Sequence, residues 1–344
     1  MNHTPIILSI ESSCDDTSAA VMSGKRVLSN VVAGQAIHEK FGGVVPELAS
    51  RAHQSNIVPV VSEALRQAGI KSTDLDAIAF TQGPGLMGSL HVGTAFAKSM
   101  ALTLAKPLIG VNHMEAHVMA HFIENTSDSN VPGTPFLCLT VSGGHTQLVS
   151  VNEDYQLKII GQTLDDAAGE AFDKSAKVLE LPYPGGPQVD KLAKMGDPKR
   201  FKFAAPQLNH YQFSFSGLKT SLLYFLQKEV ANDPDFIQKN MNDICASFQH
   251  TIISYLLKVT EKAAAENGFN QIGLAGGVSA NSELRMRFQE MCEKNKWWSF
   301  IPPFEYCTDN AAMIGISAFY KWERKDFLPL NAAPLTRLNI DLSN

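Results

Sequence analysis

Short apolar runs separated by polar, glycine-rich turns recur along the chain and predict β-strands. The first copy of this pattern occupies residues 6–22, with its polar turn at residues 11–17. The second copy occupies residues 136–151, about 130 residues later, and its turn reads Ser142-Gly-Gly-His-Thr146. Two copies of one strand–turn–strand pattern predict a duplicated α/β architecture.

Each of the two turns gathers hydroxyl groups, small residues and backbone N–H groups. A phosphate group needs these partners where two strands end side by side. An ordinary glycine-rich hairpin explains either copy taken alone. The presence of two copies at corresponding places favours phosphate binding over that alternative.

Apolar residues at helical spacing predict two packing helices, at residues 46–69 and 243–267, each ending at or before a glycine. Residues 81–89 form a glycine-rich loop before a further predicted helix. This loop lacks the lysine of a P-loop, so a tight strand-to-helix turn is the preferred interpretation and a substrate-facing role is the alternative. Gly276 and Gly277 lead into another predicted helix near Asn281, whose amide can hydrogen-bond a ribose or a base edge.

The length and charge of the chain restrict its organisation and its partners. Its 344 residues, 44% of them hydrophobic, suffice for two cores, and the polar stretch at residues 125–135 predicts the boundary between two lobes. A net charge of -5 repels nucleic acid, so contact with RNA requires a local basic patch or a partner's surface. The densest basic cluster, which is either solvated surface or a phosphate contact, comprises Lys191, Lys194, Lys199, Arg200 and Lys202.

The cysteines and the apolar segments bear on the cellular compartment. The five cysteines are scattered and form no C-x-x-C motif, which argues against a disulfide framework or a zinc ribbon. No basic segment followed by a long apolar run begins the chain, and no apolar stretch approaches about 18 residues. We therefore expect a cytoplasmic protein that does not span a membrane.

Histidines recur at positions 113, 117 and 121 in an otherwise apolar segment. Side chains four residues apart lie on one face of a helix, so His113 and His117 can bind one metal ion. His121 drifts off that face, and solvated histidines on an amphipathic helix are the alternative interpretation. Glu115 points to the opposite side, which argues against the H-E-x-x-H helix of a metalloprotease.

Carboxylates elsewhere in the chain are candidates for ligands. If the histidine pair binds a metal, a carboxylate at the predicted helix start, such as Asp309, is a suitable third ligand; an ordinary N-cap is the alternative. Asp165 and Asp166 fit the dipole of a first helical turn, whereas Asp173 lies too far along the helix for that explanation. Asp190 is either an early-turn acid or a hydroxyl ligand.

These motifs in combination resemble one family, the tRNA N6-adenosine threonylcarbamoyltransferases (TsaD), over about residues 6–320. In chain order the motifs are Glu11-Ser-Ser-Cys-Asp-Asp-Thr17, His113-Met-Glu-Ala-His117, Ser142-Gly-Gly-His-Thr146, Asp165-Asp-Ala-Ala-Gly-Glu-Ala-Phe-Asp173, Pro184-Gly-Gly186, Gly276-Gly-Val-Ser-Ala-Asn281 and Thr308-Asp-Asn310. The resemblance implies the two-lobed α/β fold of actin, Hsp70 and sugar kinases (ASKHA), with duplicated RNase-H-like lobes and mixed sheets. The expected lobes are residues 1–132 and 133–308, with a helix at about 309–325 rejoining the first lobe.

The resemblance also implies a reaction, in which the threonylcarbamoyl group of threonylcarbamoyl-adenylate passes to N6 of adenosine 37 of tRNAs that read codons beginning with A. By the family pattern His113, His117 and Asp309 hold one divalent metal per subunit, iron(II) before zinc. The implied substrate contacts are Thr140, Val141, Ser142, Gly143, Gly144, Asp173, Gly186, Asp190 and Asn281. The implied partners are a paralogous actin-like subunit (TsaB) and a small P-loop ATPase (TsaE).

The exocyclic amine of adenine is a weak nucleophile, so a carboxylate that takes its proton would help the transfer. Asp15, in the first polar turn, is the candidate for this base. The alternative function is a non-catalytic nucleotide-binding scaffold or ATPase switch of the same fold. Such a protein has no need of His113, His117 and Asp309 together.

Overall fold

The computed structural model describes residues 3–35, 38, 41–124, 130–206 and 208–340. It comprises two compact units, one formed by Met1–Val131 with Pro302–Asn344 and the other by Pro132–Ile301. Residues 125–129 of the predicted lobe boundary lie outside the described residues. In the described part of the chain, no helix is both long enough and apolar enough to cross a membrane.

The helices and strands alternate as expected for an α/β protein. In chain order the strands are β1 (Ile6–Glu11), β2 (Thr17–Ser23), β3 (Arg26–Ala33), β4 (Ala77–Gly83), β5 (Leu108–Asn112), β6 (Phe136–Val141), β7 (Thr146–Val151), β8 (Leu157–Gln162), β9 (Gln271–Ala275) and β10 (Trp298–Phe300). The α-helices are α1 (Pro46–Ala68), α2 (Met87–Leu104), α3 (His113–Met119), α4 (Ala168–Val178), α5 (Gly185–Ala193), α6 (Ser216–Asn232), α7 (Phe236–Asn267), α8 (Ser282–Asn295) and α9 (Ala311–Glu323).

The two units contain sheets of the same topology. The first sheet has the order β3-β2-β1-β4-β5, in which β2 is antiparallel to its two neighbours while β4 and β5 run parallel to β1. The second sheet has the corresponding order β8-β7-β6-β9-β10 with the same directions. The duplication predicted from the two strand–turn–strand patterns is therefore confirmed.

In the first unit, β1 is buried on both faces. Leu8 and Ile10 point into the apolar cluster formed with α1 and α2. Ser9 points to the other face, as alternation along a strand requires, and its hydroxyl donates to the Ala311 carbonyl of α9 at 2.7 Å. The C-terminal helix α9 therefore packs on the same sheet as the N-terminal strands.

In the second unit, the long helix α7 begins at Phe236, seven residues before the predicted start at residue 243. The additional turns carry Phe236, Ile237 and Met241, which pack against the core of this unit. The predicted end is correct, because Gly268 follows α7 in the left-handed conformation with φ of 73°.

Gly276 should be irreplaceable in the turn after β9, since its backbone has φ of 86° and ψ of 162°, a region that only glycine populates readily. A Cβ atom there would lie 2.4 Å from the Val141 carbonyl oxygen. We expect Gly276→Ala to lower the free energy of unfolding by about 1–3 kcal/mol or more, measured by urea denaturation. Gly277→Ala is the matched control, because a Cβ at Gly277 meets no atom within 4 Å. Equal stability of the two variants would contradict this account.

Candidate functional site

The first unit brings together the three predicted metal ligands. His113 and His117 lie on α3, and the Nε2 atoms of their rings are 3.4 Å and 3.2 Å from Asp309 Oδ1. One ligand atom from each of the three residues lies within 4.8 Å of the others. Two donors bound at about 2.0–2.1 Å to one tetrahedral ion are separated by about 3.3 Å. The observed distances therefore match a shared metal ion.

Local capping places each of these ligands. Asn112 caps α3, and its side-chain oxygen accepts from the backbone N–H groups of Met114 and Glu115, so the helix begins at His113. The N-cap of α9 is Asn310, whose side chain accepts from Met313 N, so the alternative in which Asp309 is an ordinary N-cap is wrong. Because Asn310 performs the capping, the Asp309 carboxylate is available to the histidines.

The hydrogen bonds of His117 test whether a metal fits this site. The residue is 1% exposed; among the described residues its Nδ1 has no hydrogen-bond partner, and its Nε2 has only the Asp309 carboxylate at 3.2 Å, outside hydrogen-bond geometry. A buried polar atom left without a partner costs about 1–3 kcal/mol, so such atoms usually have one. A metal ion shared with Asp309 would give Nε2 the well-formed bond that it otherwise lacks. Two imidazoles and one carboxylate, with the other coordination positions open, are typical of a catalytic site.

His113 is oriented by a second layer of side chains. Its Nδ1 lies 3.0 Å from Glu11 Oε2 and 3.2 Å from Ser13 Oγ, so its Nε2 faces Asp309. A carboxylate on the outer nitrogen commonly fixes the orientation of a metal-binding histidine. Thr81 Oγ1 donates to the same Glu11 oxygen at 2.6 Å. No role for Glu11 was predicted from the sequence, although a carboxylate that ends an apolar strand is a recognisable signal.

The charges of this cluster shift the pKa values of its members in opposite directions. Burial raises the pKa of Glu11, but the charge of His113 and its hydrogen bond outweigh burial and lower it. The same balance holds the pKa of Asp309 well below its usual range. Burial lowers the pKa of His113, but the charges of Asp309 and Glu11 and the hydrogen bonds to them raise it by a larger amount. The net shift of this pKa is therefore upward. Without a metal the cluster is therefore a charge-paired unit of one cation between two anions.

Glu115 and His121 are not members of the metal group among the described residues. Burial raises the pKa of Glu115, and the charges of Lys321 and Arg324 offset this only in part. His121 lies on the short 3-10 turn after α3, and its Nδ1 contacts the Val118 carbonyl oxygen at 2.9 Å. This arrangement contains no H-E-x-x-H site.

The turn that carries Asp15 is anchored on both sides. The Cys14 carbonyl oxygen accepts from Ser89 Oγ at 2.8 Å and from His53 Nε2 at 3.0 Å. His53 is fully buried, and its Nδ1 meets Thr17 Oγ1 at 2.8 Å, so one imidazole connects the middle of the turn to the first residue of β2. The neighbouring Asp16 has its pKa raised to about 7, by burial first and then by the charges of Asp15, Asp309 and Glu11.

The predicted substrate residues lie in the second unit. Thr140 and Val141 end β6, and the following turn is closed by Ser142, whose N–H donates to the His145 carbonyl at 2.8 Å. A Cβ atom added to Gly143 or Gly144 would meet no other atom within 4 Å, so the backbone of both residues is open. The turn therefore has the exposed backbone that a phosphate-binding loop needs.

The carboxylates around α4 differ in part from expectation. Because α4 begins at Ala168, Asp165 and Asp166 precede the helix and do not form its first turn. Asp165 instead accepts from the backbone N–H of Phe215 at 2.7 Å, just before α6. Asp173 Oδ1 accepts from the N–H groups of Gly185 and Gly186 at 2.8 Å and 3.3 Å, which joins α4 to the start of α5.

The structure also brings together Asp190 and Asn281, which lie far apart in the sequence. Asp190 Oδ1 accepts from Ser282 Oγ at 2.8 Å and from Gln249 Nε2 at 3.2 Å. Asn281 caps α8 through its bond from Leu284 N and donates from Nδ2 to Gln249 Oε1 at 2.7 Å. Gln249 was not predicted from the sequence, because a single amide among the apolar residues of a core helix carries no distinctive spacing.

Known proteins of one family are similar to this chain over most of its length. The family model for tRNA N6-adenosine threonylcarbamoyltransferase (TsaD) matches residues 26–316. The curated protein of that name from Porphyromonas gingivalis is 57% identical over 336 residues, which cover 97% of this chain and 98% of the relative. The one from Thermosipho africanus is 50% identical over 322 residues, covering 93% and 95%.

Solved structures of lower sequence identity share the fold. Full-length HypF in its phosphate- and nucleotide-bound form matches with a TM-score of 0.62 at 12% identity, and T. kodakarensis HypF with 0.64 at 14%. These matches cover 94% of this chain but 47% and 49% of the HypF chains, so the chain spans about half their length. The activator of the 2-hydroxyisocaproyl-CoA dehydratase from Clostridium difficile, with bound ADPNP, matches with 0.52 at 11% identity, covering 94% and 98%.

The structural matches, together with the duplicated sheets, show the two-lobed actin/Hsp70/sugar-kinase (ASKHA) class of fold. The family model and the curated relatives each cover most of the chain and carry the same description. The chain therefore belongs to the tRNA N6-adenosine threonylcarbamoyltransferase family and is a transferase.

Proposed function

We propose that the protein transfers the threonylcarbamoyl group of threonylcarbamoyl-adenylate to N6 of adenosine 37 in tRNAs that read codons beginning with A, and that AMP leaves. The observation that carries this proposal is the group of two buried histidines, His113 and His117, with the half-buried Asp309 in a chain of this family. The test is nucleoside analysis of tRNA incubated with the protein, its proposed partners and the adenylate. Threonylcarbamoyladenosine in the digest supports the proposal, and its absence opposes it.

We assign one divalent metal to the three ligands, iron(II) first and zinc second. When bound, such a metal neutralises negative charge that develops on a carbonyl or phosphate oxygen. The protein's part is to hold two imidazoles and a carboxylate in place, with Glu11 fixing the ring of His113. This preorganisation avoids reorganisation of the site during the reaction.

The chemical step needs little activation of the leaving group, because the mixed carbamoyl-phosphate anhydride is already reactive. The N6 nitrogen forms a bond to the carbamoyl carbon, and the bond from that carbon to the phosphate oxygen breaks. Asp15 takes the proton that N6 loses, and AMP departs with the bonding electrons. The enzyme's main tasks are therefore orientation of the amine and stabilisation of charge.

We assign the adenylate to the residues predicted for it in the second unit. The open backbone at Gly143 and Gly144 is suited to the phosphate, with Thr140, Val141 and Ser142 forming the rest of that turn. Asp173 and Gly186 are already joined by a hydrogen bond, and Asp190 and Asn281 are linked through hydrogen bonds to Gln249. Carboxylate and amide groups of this kind bind ribose hydroxyls and base edges.

We further propose that the reaction takes place in the cytoplasm and depends on TsaB and TsaE, in line with the family resemblance. The net charge of -5 repels tRNA, so a partner's surface, a local basic patch or both must offset this repulsion. The alternative of a non-catalytic scaffold or ATPase switch leaves the His113, His117 and Asp309 group without a purpose.

Changing Lys199 and Arg200 together to Glu should weaken tRNA binding and leave adenylate binding intact. Both residues are exposed on the second unit. Each phosphate contact that is lost makes the plot of log affinity against log salt concentration less steep by about one unit. Affinity is measured by filter binding at several salt concentrations. The control with the same charge change alters the exposed residues Lys71 and Lys228 to Glu. Equal affinities of the two double variants at low salt would remove this cluster from the tRNA site.

A further inference from the structure

Gln249 is a polar residue in a position that otherwise belongs to the core. It lies on α7, is 1% exposed, and has the buried residues Phe248 and Ile252 as neighbours on the same helix. A buried amide is costly unless its donors and its acceptor all have partners. The hydrogen bonds that Gln249 forms should therefore explain why an amide stands here.

The amide of Gln249 connects three side chains from two other elements. Its Nε2 donates to Asp190 Oδ1 and to Glu283 Oε2, each at 3.2 Å. Its Oε1 accepts from Asn281 Nδ2 at 2.7 Å. The orientation of the amide is fixed by these partners, because the carboxylates only accept and the Asn281 NH₂ group only donates.

Further hydrogen bonds fix the side chains of Asn281 and Asp190 in one arrangement. Asn281 Oδ1 is used by the N–H of Leu284, so both ends of the Asn281 amide are fixed. Asp190 Oδ1 receives two hydrogen bonds, from Gln249 and Ser282, which leaves Oδ2 with Lys194 Nζ at 3.4 Å. The Asp190 side chain is 14% exposed, and Oδ2 is the oxygen that does not take part in the bonds from Gln249 and Ser282.

We propose that Gln249 is a positioning residue of the nucleotide site, which holds Asp190 and Asn281 in the single arrangement that recognises a ribose hydroxyl. The inference rests on the proposed function for the identity of the nucleotide. The Asp190 carboxylate accepts the hydrogen of a 2′-hydroxyl in the way that carboxylates of other nucleotide-binding folds do. A ligand without that hydroxyl leaves the prearranged acceptor unpaired, and its binding is weakened accordingly.

Binding of AMP and of 2′-deoxy-AMP to the full chain, measured by calorimetry, tests this role without requiring transfer. We expect the wild type to prefer AMP by about tenfold, the ratio that one well-placed hydrogen bond supplies. Gln249→Met keeps the length of the side chain but has neither donor nor acceptor. We expect its preference to fall to about twofold or less, mainly through weaker binding of AMP.

Two further variants separate positioning from general loss of structure. Gln249→Glu places a third carboxylate against Asp190 and Glu283 and should abolish the preference as well, so the test survives if Gln249→Met fails to fold. Thr260→Val removes a buried hydroxyl from the same helix, one that donates only to Leu256 O, and should keep the wild-type preference. In the transfer reaction we expect the Gln249 variants to raise KM for the adenylate about tenfold with kcat little changed.

A wild type that binds AMP and 2′-deoxy-AMP equally, or binds neither, overturns the inference, as does a Gln249→Met protein with the wild-type preference. Failure of the proposed function has a different signature. In that case the preference for AMP and its loss in the variants persist, while no threonylcarbamoyl group reaches tRNA.

Discussion

Replacing His117 by alanine is expected to remove the bound metal and to lower the rate of transfer by about 100-fold or more. This loss is larger than the loss expected from removing a residue that only hydrogen-bonds to a metal ligand. His117 supplies one of three ligands, and among the described residues the only group that its ring nitrogens meet is the Asp309 carboxylate, 3.2 Å from Nε2. The metal-free variant loses only the contact of this ring with Asp309, which keeps His113 as its ion-pair partner, so its fold should persist. Metal content by mass spectrometry and the single-turnover rate measure the two effects.

The matched control for this prediction is His121→Asn. His121 lies four residues further along the chain, and its Nδ1 contacts the Val118 carbonyl oxygen, a hydrogen bond that the asparagine amide can replace. We expect this variant to retain a full equivalent of metal. Retention of a full equivalent by His117→Ala as well would show that the metal, if present, is bound elsewhere.

Replacing Asp15 by asparagine is expected to lower kcat by about 10²–10⁴-fold, the usual contribution of a general base, and to leave binding of the adenylate nearly unchanged. The amide cannot take the proton that N6 loses. The neighbouring Asp16→Asn is the matched comparison, since it changes the same chemical group one position along the turn. A larger loss of kcat in Asp16→Asn than in Asp15→Asn would assign the base to Asp16.

The pH dependence of stability in the wild type and in Asp16→Asn gives an independent check of the structure around the turn. Folding raises the pKa of Asp16 from 3.8 to about 7, so the folded state holds the proton more tightly than the unfolded chain. The contribution of protonated Asp16 to the free energy of unfolding is complete below pH 3.8 and is lost as the pH rises through about 7. Asp16→Asn should therefore gain in melting temperature relative to the metal-free wild type across this range.

The fold could be predicted where continuous apolar runs are followed by polar turns. The strands β1, β2, β6 and β7 are almost entirely buried, so each reads as an apolar run next to a polar turn. The strands β3 and β8 were not predicted, and their side chains are mostly half-buried or exposed at the ends of their sheets. Partial burial leaves no continuous apolar run to recognise.

The site could be predicted where local spacing determines it. His113 and His117 are four residues apart on one helix, so their common face follows from helical geometry. The contact of His113 with Glu11 joins residues 102 apart, and that of Asp190 with Gln249 joins residues 59 apart. Such contacts depend on how strands and helices pack, and no local pattern encodes them. The N-cap at Asn310 was missed because adjacent Thr, Asp and Asn residues are all good caps.

The most direct test of the central claim is the transfer of labelled threonine, supplied as threonylcarbamoyl-adenylate, into unmodified tRNA by the purified protein with TsaB and TsaE. Two tRNAs that differ only in having adenosine or guanosine at position 37 are compared, and AMP release is followed in the same reaction. The account predicts label in the adenosine tRNA alone, with one AMP released for each group transferred. Absence of label from both tRNAs, with the adenylate still bound, would contradict it and favour the scaffold.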